Sequence, residues 1–240
     1  ISSVKNRVAN YPKNNWELHS LDVLIEKLKN ITQSISSVII EPIQCTAGDI
    51  YLDVEKLKKI QELCNKNNIC FIVDEIQTGF GVTGEMWYSS KIGLDPDIII
   101  FGKKSQICGI MTNDKYSEAI HSQYRKLEVT FDGELIDAIR SEYILNAIEK
   151  NSLLKNVKDK SNILKNELSE LFENYRSSGH LIAFDFPNKQ QRDSFVSNAY
   201  SNKLLVNPTA EKSIRIRPNL AFSNNELDEL LNKINIAKKG

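Results

Sequence analysis

The chain carries no excess of charge: 31 lysines and arginines meet 31 aspartates and glutamates, for a formal net charge of +0 over 240 residues. A balanced chain offers no field for nucleic acid or for an anionic membrane surface, so neither is expected as a partner. It also lacks a long apolar run, and nothing approaches the roughly 20 residues that a membrane helix needs. The stretch from Ile1 to Asn10 is polar and mixed, without the apolar centre of a signal peptide, and it starts on Ile1 rather than Met. The expectation is a chain that begins mid-protein. Cysteine is scarce: Cys45, Cys64, Cys70 and Cys108 form no CxxC pair and no metal-ligand spacing, which argues against a zinc or redox site. They read instead as buried thiols of a reducing cytoplasm, and a cytoplasmic location is expected. His19, His121 and His180 are scattered without HxxxH spacing and receive no role. No internal repeat is visible.

What is present is an alternation of short apolar strands and amphipathic helices. Leu21, Leu24, Ile25, Leu28 and Ile31 recur at helical spacing, as do Val54, Leu57, Ile60 and Cys64. Ser37 to Ile40 is a β-branched run stopped by Glu41-Pro42, and Ile69 to Val73, Asp97 to Phe101 and Cys108 to Met111 are further strands, the last after a turn at Ser105-Gln106. Such alternation predicts right-handed crossovers and a mainly parallel sheet. Glu134 to Phe172 is helical and broken near Asn151-Ser152; strands follow at Leu181 to Phe186, Leu204 to Val206 and Ser213 to Ile216, with helices at Gln190 to Tyr200 and Asn224 to Ile236. The expected division is a large α/β part over residues 1–150 and a small C-terminal α/β part over 151–240.

The chemistry concentrates between Phe71 and Met111. Phe71-Ile72-Val73 delivers Asp74-Glu75, and Ile98-Ile99-Ile100-Phe101-Gly102 delivers Lys103-Lys104. An acid and an amine are thus expected at the C-terminal edge of the sheet, where open α/β sheets bind ligands. One cofactor uses this pair: pyridoxal phosphate takes a lysine in a Schiff base and an acid on its pyridinium nitrogen. Lys103 at the end of an apolar strand is expected to be partly desolvated, which lowers its pKa and favours the nucleophilic neutral amine. Lys104 is its rival, and from the residues alone the pair could equally be a solvated loop.

The run Asp74-Glu75-Ile76-Gln77-Thr78-Gly79-Phe80-Gly81-Val82-Thr83-Gly84, with Pro96-Asp97-Ile98 leading to Lys103, resembles the class III (ω-amino) aminotransferases. The continuation Lys103-Lys104-Ser105-Gln106-Ile107-Cys108-Gly109, together with Glu41-Pro42-Ile43-Gln44 and Tyr11-Pro12-Lys13-Asn14-Asn15-Trp16, is similar to the lysine 6-aminotransferase branch of that class. The resemblance covers nearly the whole chain but only the later part of the family's length. It implies a fold-type-I pyridoxal-phosphate transferase: the second half of the large, mainly parallel-sheet domain plus the small C-terminal α/β domain. It also implies transfer of the terminal amino group of L-lysine to 2-oxoglutarate, an amino donor and a 2-oxo acid as small-molecule partners, and a homodimer.

The same resemblance assigns residues. It implies Lys103 as the Schiff-base lysine, its spacing from Pro96-Asp97 preferring it over Lys104, and Asp74 as the partner of the pyridinium nitrogen, supported by Glu75. Gln77 lies where the family contacts the cofactor's phenolic oxygen. Thr130 aligns with the threonine that binds the cofactor phosphate of the neighbouring subunit, although Asp132 and Glu134 bring carboxylates that disfavour a phosphate. Arg215 resembles the arginine that holds the substrate carboxylate, while Arg217 is expected to face the opposite way as an ordinary surface charge. Thr46 stands where the family carries a glutamate that pairs with an active-site arginine, and it cannot make that ion pair. The family's phosphate-cupping turn and ring-stacking aromatic have no counterpart before Asp74, so the 240 residues alone are not expected to form a competent enzyme. A second reading, a non-catalytic remnant, stays open, as does another ω-aminotransferase using ornithine, 4-aminobutyrate or a diamine.

Overall fold

The computed structural model describes residues 17–31, 34–121 and 133–239. Helix α1 (Leu21–Lys29) starts at Ser20, whose hydroxyl accepts the amide of Val23 at 3.4 Å. Strand β1 (Ser37–Ile40) ends at Glu41-Pro42. A small hairpin follows, with β2 (Ile43–Gln44) antiparallel to β3 (Ile50–Tyr51). Asp53 opens α2 (Val54–Lys66) by accepting the amide of Lys56 at 2.9 Å, and the helix buries Leu57, Ile60, Leu63 and Cys64. Then come β4 (Cys70–Asp74), the one-turn α3 (Tyr88–Lys91), β5 (Ile98–Phe101), β6 (Gly109–Thr112) and α4 (Asp114–His121).

These strands form a sheet in the order β1-β4-β5-β6, with β1, β4 and β5 parallel and β6 antiparallel at the edge. The expected mainly parallel sheet is therefore present. Leu28, Leu57, Ile60 and Phe71 are fully buried between it and helices α1 and α2, each worth about 1.5–3 kcal/mol of burial. Buried Asp97 sets the entry to β5: its carboxylate accepts the Phe71 amide and the Asn113 side chain, both at 2.8 Å. Because the three parallel strands run one way, the residues that follow them reach a common edge.

Helices α5 (Leu135–Lys150) and α6 (Leu153–Ser169) break where expected, at Ser152, whose φ is +50°. A second sheet follows, built from β7 (Glu173–Ser178), β8 (Leu181–Asp185), β9 (Asn207–Thr209) and β10 (Ser213–Ile216), in the antiparallel order β7-β8-β10-β9. With α6, α7 (Lys189–Ser201) and α8 (Asn224–Lys239), it encloses a core around Phe172, Phe184 and Phe195. Phe172 stacks on Phe184 with ring centroids 3.9 Å apart.

Two expectations need correction here. Leu204 to Val206 is not a strand: the Leu204 amide closes the end of α7 on Ala199 O at 2.8 Å, and Leu205 is 82% exposed. Pairing starts at Asn207 instead, on an edge strand that tolerates Pro208. Strand β7 was not foreseen, because Glu-Asn-Tyr-Arg-Ser-Ser has no apolar alternation.

The two sheets meet at a tight crossing. Gly179, with φ +58°, sits where a Cβ would lie 2.3 Å from Val82 O, so only glycine fits. Beside it the His180 amide donates to Val82 O at 2.8 Å, and the Tyr51 hydroxyl donates to Leu181 O at 3.1 Å. Three of the four thiols are buried as expected, but Cys108 is exposed. No described helix is long and apolar enough to cross a membrane, and the described residues hold no cluster of metal-ligating side chains.

Candidate active site

Strand β1 ends at Ile40, level with Val73 on β4, so Glu41 emerges beside Asp74. Strand β5 ends at Phe101, and after Gly102 the chain turns into a single 3₁₀ turn, Lys103–Ser105. Glu41, Asp74 and Lys103 lie within electrostatic reach of one another. Burial, reinforced by the Glu75 charge, pushes the Asp74 carboxyl up, against the pull of the Ile76 amide and of Lys103. Partial desolvation and the Asp74 charge push Glu41 up in turn, again opposed by Lys103. No role is expected of Glu41 from the sequence, where it marks only the end of a strand stopped by Pro42 and the start of the Glu41-Pro42-Ile43-Gln44 run.

Lys103 is held under strain. Its φ of +58° lies in the left-handed region, a cost on the order of 1–3 kcal/mol for a residue with a side chain. Gly102 packs so tightly on Cys108 that a Cβ would lie 2.8 Å from its Sγ. The turn closes through Gln106 N to Lys103 O at 3.0 Å and Ser105 Oγ to Ile107 O at 2.5 Å. Lys103 points out into the open and is exposed, whereas the desolvation expected of it falls on Lys104, which is half-buried. Burial pushes the Lys104 amine down to about 8, and the Lys103 charge adds to this.

The loop after Asp74 is tied down by hydrogen bonds. Its carboxylate accepts the Ile76 amide at 2.9 Å, and buried Glu75 accepts Thr78 Oγ1 at 2.7 Å and the amides of Tyr88 and Ser89 at 2.8 and 2.6 Å. Glu75 thereby supports the Asp74 turn from beneath and does not face the open edge. Gln77 reaches across to the loop between β2 and β3, donating to Thr46 Oγ1 at 3.4 Å. Arg215, on β10, reaches the same loop from the second sheet, through Nη1 to Cys45 O at 3.3 Å. Its buried Nε has no partner among the described residues. Asp74 and Lys103 thus lie at one sheet edge, Gln77 and Arg215 both reach the β2–β3 loop, and Thr130 lies outside the described residues.

The expectation for Arg217 was wrong. Residues two apart along a strand share a face rather than oppose each other, and Arg217 turns inward just past β10. Its Nη2 takes fully buried Asp49 in a two-point ion pair at 2.5 and 2.6 Å, and Nη1 donates to the carbonyls of Ile182 and Ile216, each at 3.0 Å. Arg176, which nothing in its polar surroundings marked out, grips the same loop: Nε donates to Gly48 O at 3.0 Å and Nη1 to Asp185 at 2.9 Å. Three arginines of the second sheet thus hold the β2–β3 loop against the first.

The donor set suits the pyridine end of pyridoxal phosphate. A half-buried carboxylate with one amide partner is completed by a cationic ring N–H, and an exposed lysine on a fixed turn faces the same edge. A hollow of about 630 Å³ near Phe172, Phe186, Phe195 and Lys238 shares no residue with this cluster.

Known proteins resemble this chain along nearly its whole length. The family model described as aminotransferase class-III matches residues 3–237. An L-lysine-epsilon aminotransferase of Amycolatopsis lactamdurans is 31% identical, over 93% of this chain and 53% of its own length. A 4-aminobutyrate aminotransferase of Dictyostelium discoideum is 31% identical, over 98% of this chain and 49% of its length. Among solved structures, lysine aminotransferase from M. tuberculosis in the internal aldimine form superposes with a TM-score of 0.86 at 27% identity, covering 95% of this chain and 60% of that one. The chain spans about half the length of the curated relatives it matches.

Proposed function

This chain belongs to the class III aminotransferases, pyridoxal-phosphate enzymes of fold type I, and we propose that the activity it serves moves the terminal amino group of L-lysine to 2-oxoglutarate. The observation that supports the reading is that Asp74 and Lys103 follow neighbouring strands of one sheet, while Gln77 and Arg215 both reach the β2–β3 loop. When bound, the cofactor supplies an electron sink for the pair left behind as a proton leaves the carbon beside nitrogen. Lys103 would hold the cofactor and, as a free amine, carry that proton. Asp74 would keep the ring nitrogen protonated, a task that a neutral group performs less well. Gln77 would donate to the phenolic oxygen. Thr130 would bind phosphate, and Arg215 would take a substrate carboxylate with its planar fork.

Lysine as donor is favoured by the Amycolatopsis relative and by the Lys103 to Gly109 run; 4-aminobutyrate and ornithine are the alternatives that other relatives raise. A homodimer is part of the proposal, supported by the apolar side chains that α5 leaves open: Leu135, Ile136, Ile139 and Tyr143. So are a division of the chain at residue 150 and a cytoplasmic location. The test is transamination to 2-oxoglutarate by the protein as the cell makes it, with lysine, ornithine and 4-aminobutyrate as donors. Lysine should show the highest kcat/KM, by about tenfold or more. A higher value for another donor replaces the substrate, and no transfer from any donor supports the remnant.

A further inference from the structure

Lys104 has no part in the chemistry proposed for Lys103, yet it is the more deeply placed of the two. Its Nζ donates to Gln77 O at 2.7 Å and to Ile76 O at 3.3 Å. Those carbonyls belong to the turn that carries Asp74 and Gln77, whereas Lys104 itself sits in the 3₁₀ turn that carries Lys103. The left-handed backbone at Lys103 sends the two neighbouring side chains apart, one to the open edge and one beneath the β4 turn.

We propose that Lys104 is a positioning residue: its ammonium locks the end of β4 to the end of β5 and so fixes the spacing of Asp74 and Gln77 from Lys103. This rests on the reading of those three residues as cofactor contacts. The lock consists of two charge-assisted bonds to carbonyl oxygens, and no carboxylate of the described residues is among its partners. The titratable and charged groups facing it are the Cys45 thiol, Glu75, Lys103 and Arg217. Burial, aided by Lys103 and Arg217 and opposed by Cys45 and Glu75, lowers the amine to about 8. The charge that strengthens the lock is therefore shed at mildly alkaline pH.

The experiment measures pyridoxal phosphate affinity of the full protein by cofactor absorbance, from about pH 7 to about pH 10, for wild type, Lys104→Met and Lys104→Arg. Wild type should lose about tenfold in affinity as pH rises through about 8. Lys104→Met should bind about tenfold more weakly at neutral pH and show no step near that value. Lys104→Arg keeps its charge throughout and should restore binding without the step. Thermal unfolding over the same range separates this from a general weakening. A lysine lowered to about 8 from 10.5 makes folding more favourable, not less, as pH rises between those values. Identical affinity and pH profile in wild type and Lys104→Met overturns the proposal, and so does borohydride labelling of Lys104 in place of Lys103. Absence of binding by wild type at every pH overturns the reading of the site itself, which distinguishes the two failures.

Discussion

At the scale of single residues, the two arginines on either side of Ile216, the last residue of β10, have opposite duties. Arg217 neutralises Asp49, which is fully buried, with bonds to both carboxylate oxygens. Arg215 has no ion-pair partner among the described residues and keeps a buried Nε unpaired. Asp49→Asn tolerates the same left-handed φ of +54° and removes only the charge. It should cost about 3–5 kcal/mol in chemical denaturation, because it strands Arg217. Arg215→Gln should cost less than about 1 kcal/mol of stability while lowering kcat/KM for a carboxylate substrate on the order of a hundredfold. Equal stability losses would mean that Arg215 is structural as well. The sequence made Arg215 legible through its family setting. The face of Arg217 was readable from the two-residue spacing that it shares with Arg215, but the loop that Arg217 and Arg176 hold is brought near only by the crossing of two sheets.

At the scale of elements, most of what positions the site follows from local rules. Helices α1 and α2 announce themselves by 3.6-residue spacing, and the structure adds Ser20 and Asp53 as their caps. Strands β1, β4 and β5 are apolar runs with sharp ends, and those ends are the site. What escaped were short or polar elements: β7, the two-residue strands β2 and β3, the one-turn α3, α4, and β9, displaced past an exposed Leu205. The loop after β4 shows how packing then fixes what the strands deliver. A Cβ on Gly79 would lie 2.6 and 2.7 Å from ring carbons of Trp87 and 3.0 Å from Glu75 O. Trp87 in turn meets Phe80 edge-on at 5.6 Å and lies 6.1 Å from Phe101. Gly79→Ala should destabilise by about 1–3 kcal/mol and displace Gln77, read as a lowered Tm together with weaker cofactor binding. An unchanged Tm would show that the aromatic cluster gives way freely.

At the scale of the whole molecule, the crossing of the two sheets carries a pH-sensitive group. His180 is fully buried beside Phe222, and among the described residues neither ring nitrogen has a hydrogen-bond partner of ordinary geometry. Burial outweighs the weak pull of the Asn219 and Pro218 backbone and pushes the ring down to about 4. Its folded pKa lies below its unfolded 6.5, so the folded state binds fewer protons between those values. Stability should therefore hold above 6.5 and fall by about 3 kcal/mol as pH drops to about 4. His180→Phe should flatten that slope in urea titrations, and an unchanged slope would assign the loss to carboxylates instead. The crossing also brings Arg215 onto the β2–β3 loop that Gln77 reaches from the first sheet, and the functional account depends on Asp74, Gln77, Lys103 and Arg215 acting together. It is tested most directly by borohydride reduction of the protein with pyridoxal phosphate, followed by peptide mapping of the label. The account predicts a single labelled peptide carrying the cofactor on Lys103, lost in Lys103→Ala. Label spread over many surface lysines, or unaffected by Lys103→Ala, would contradict it.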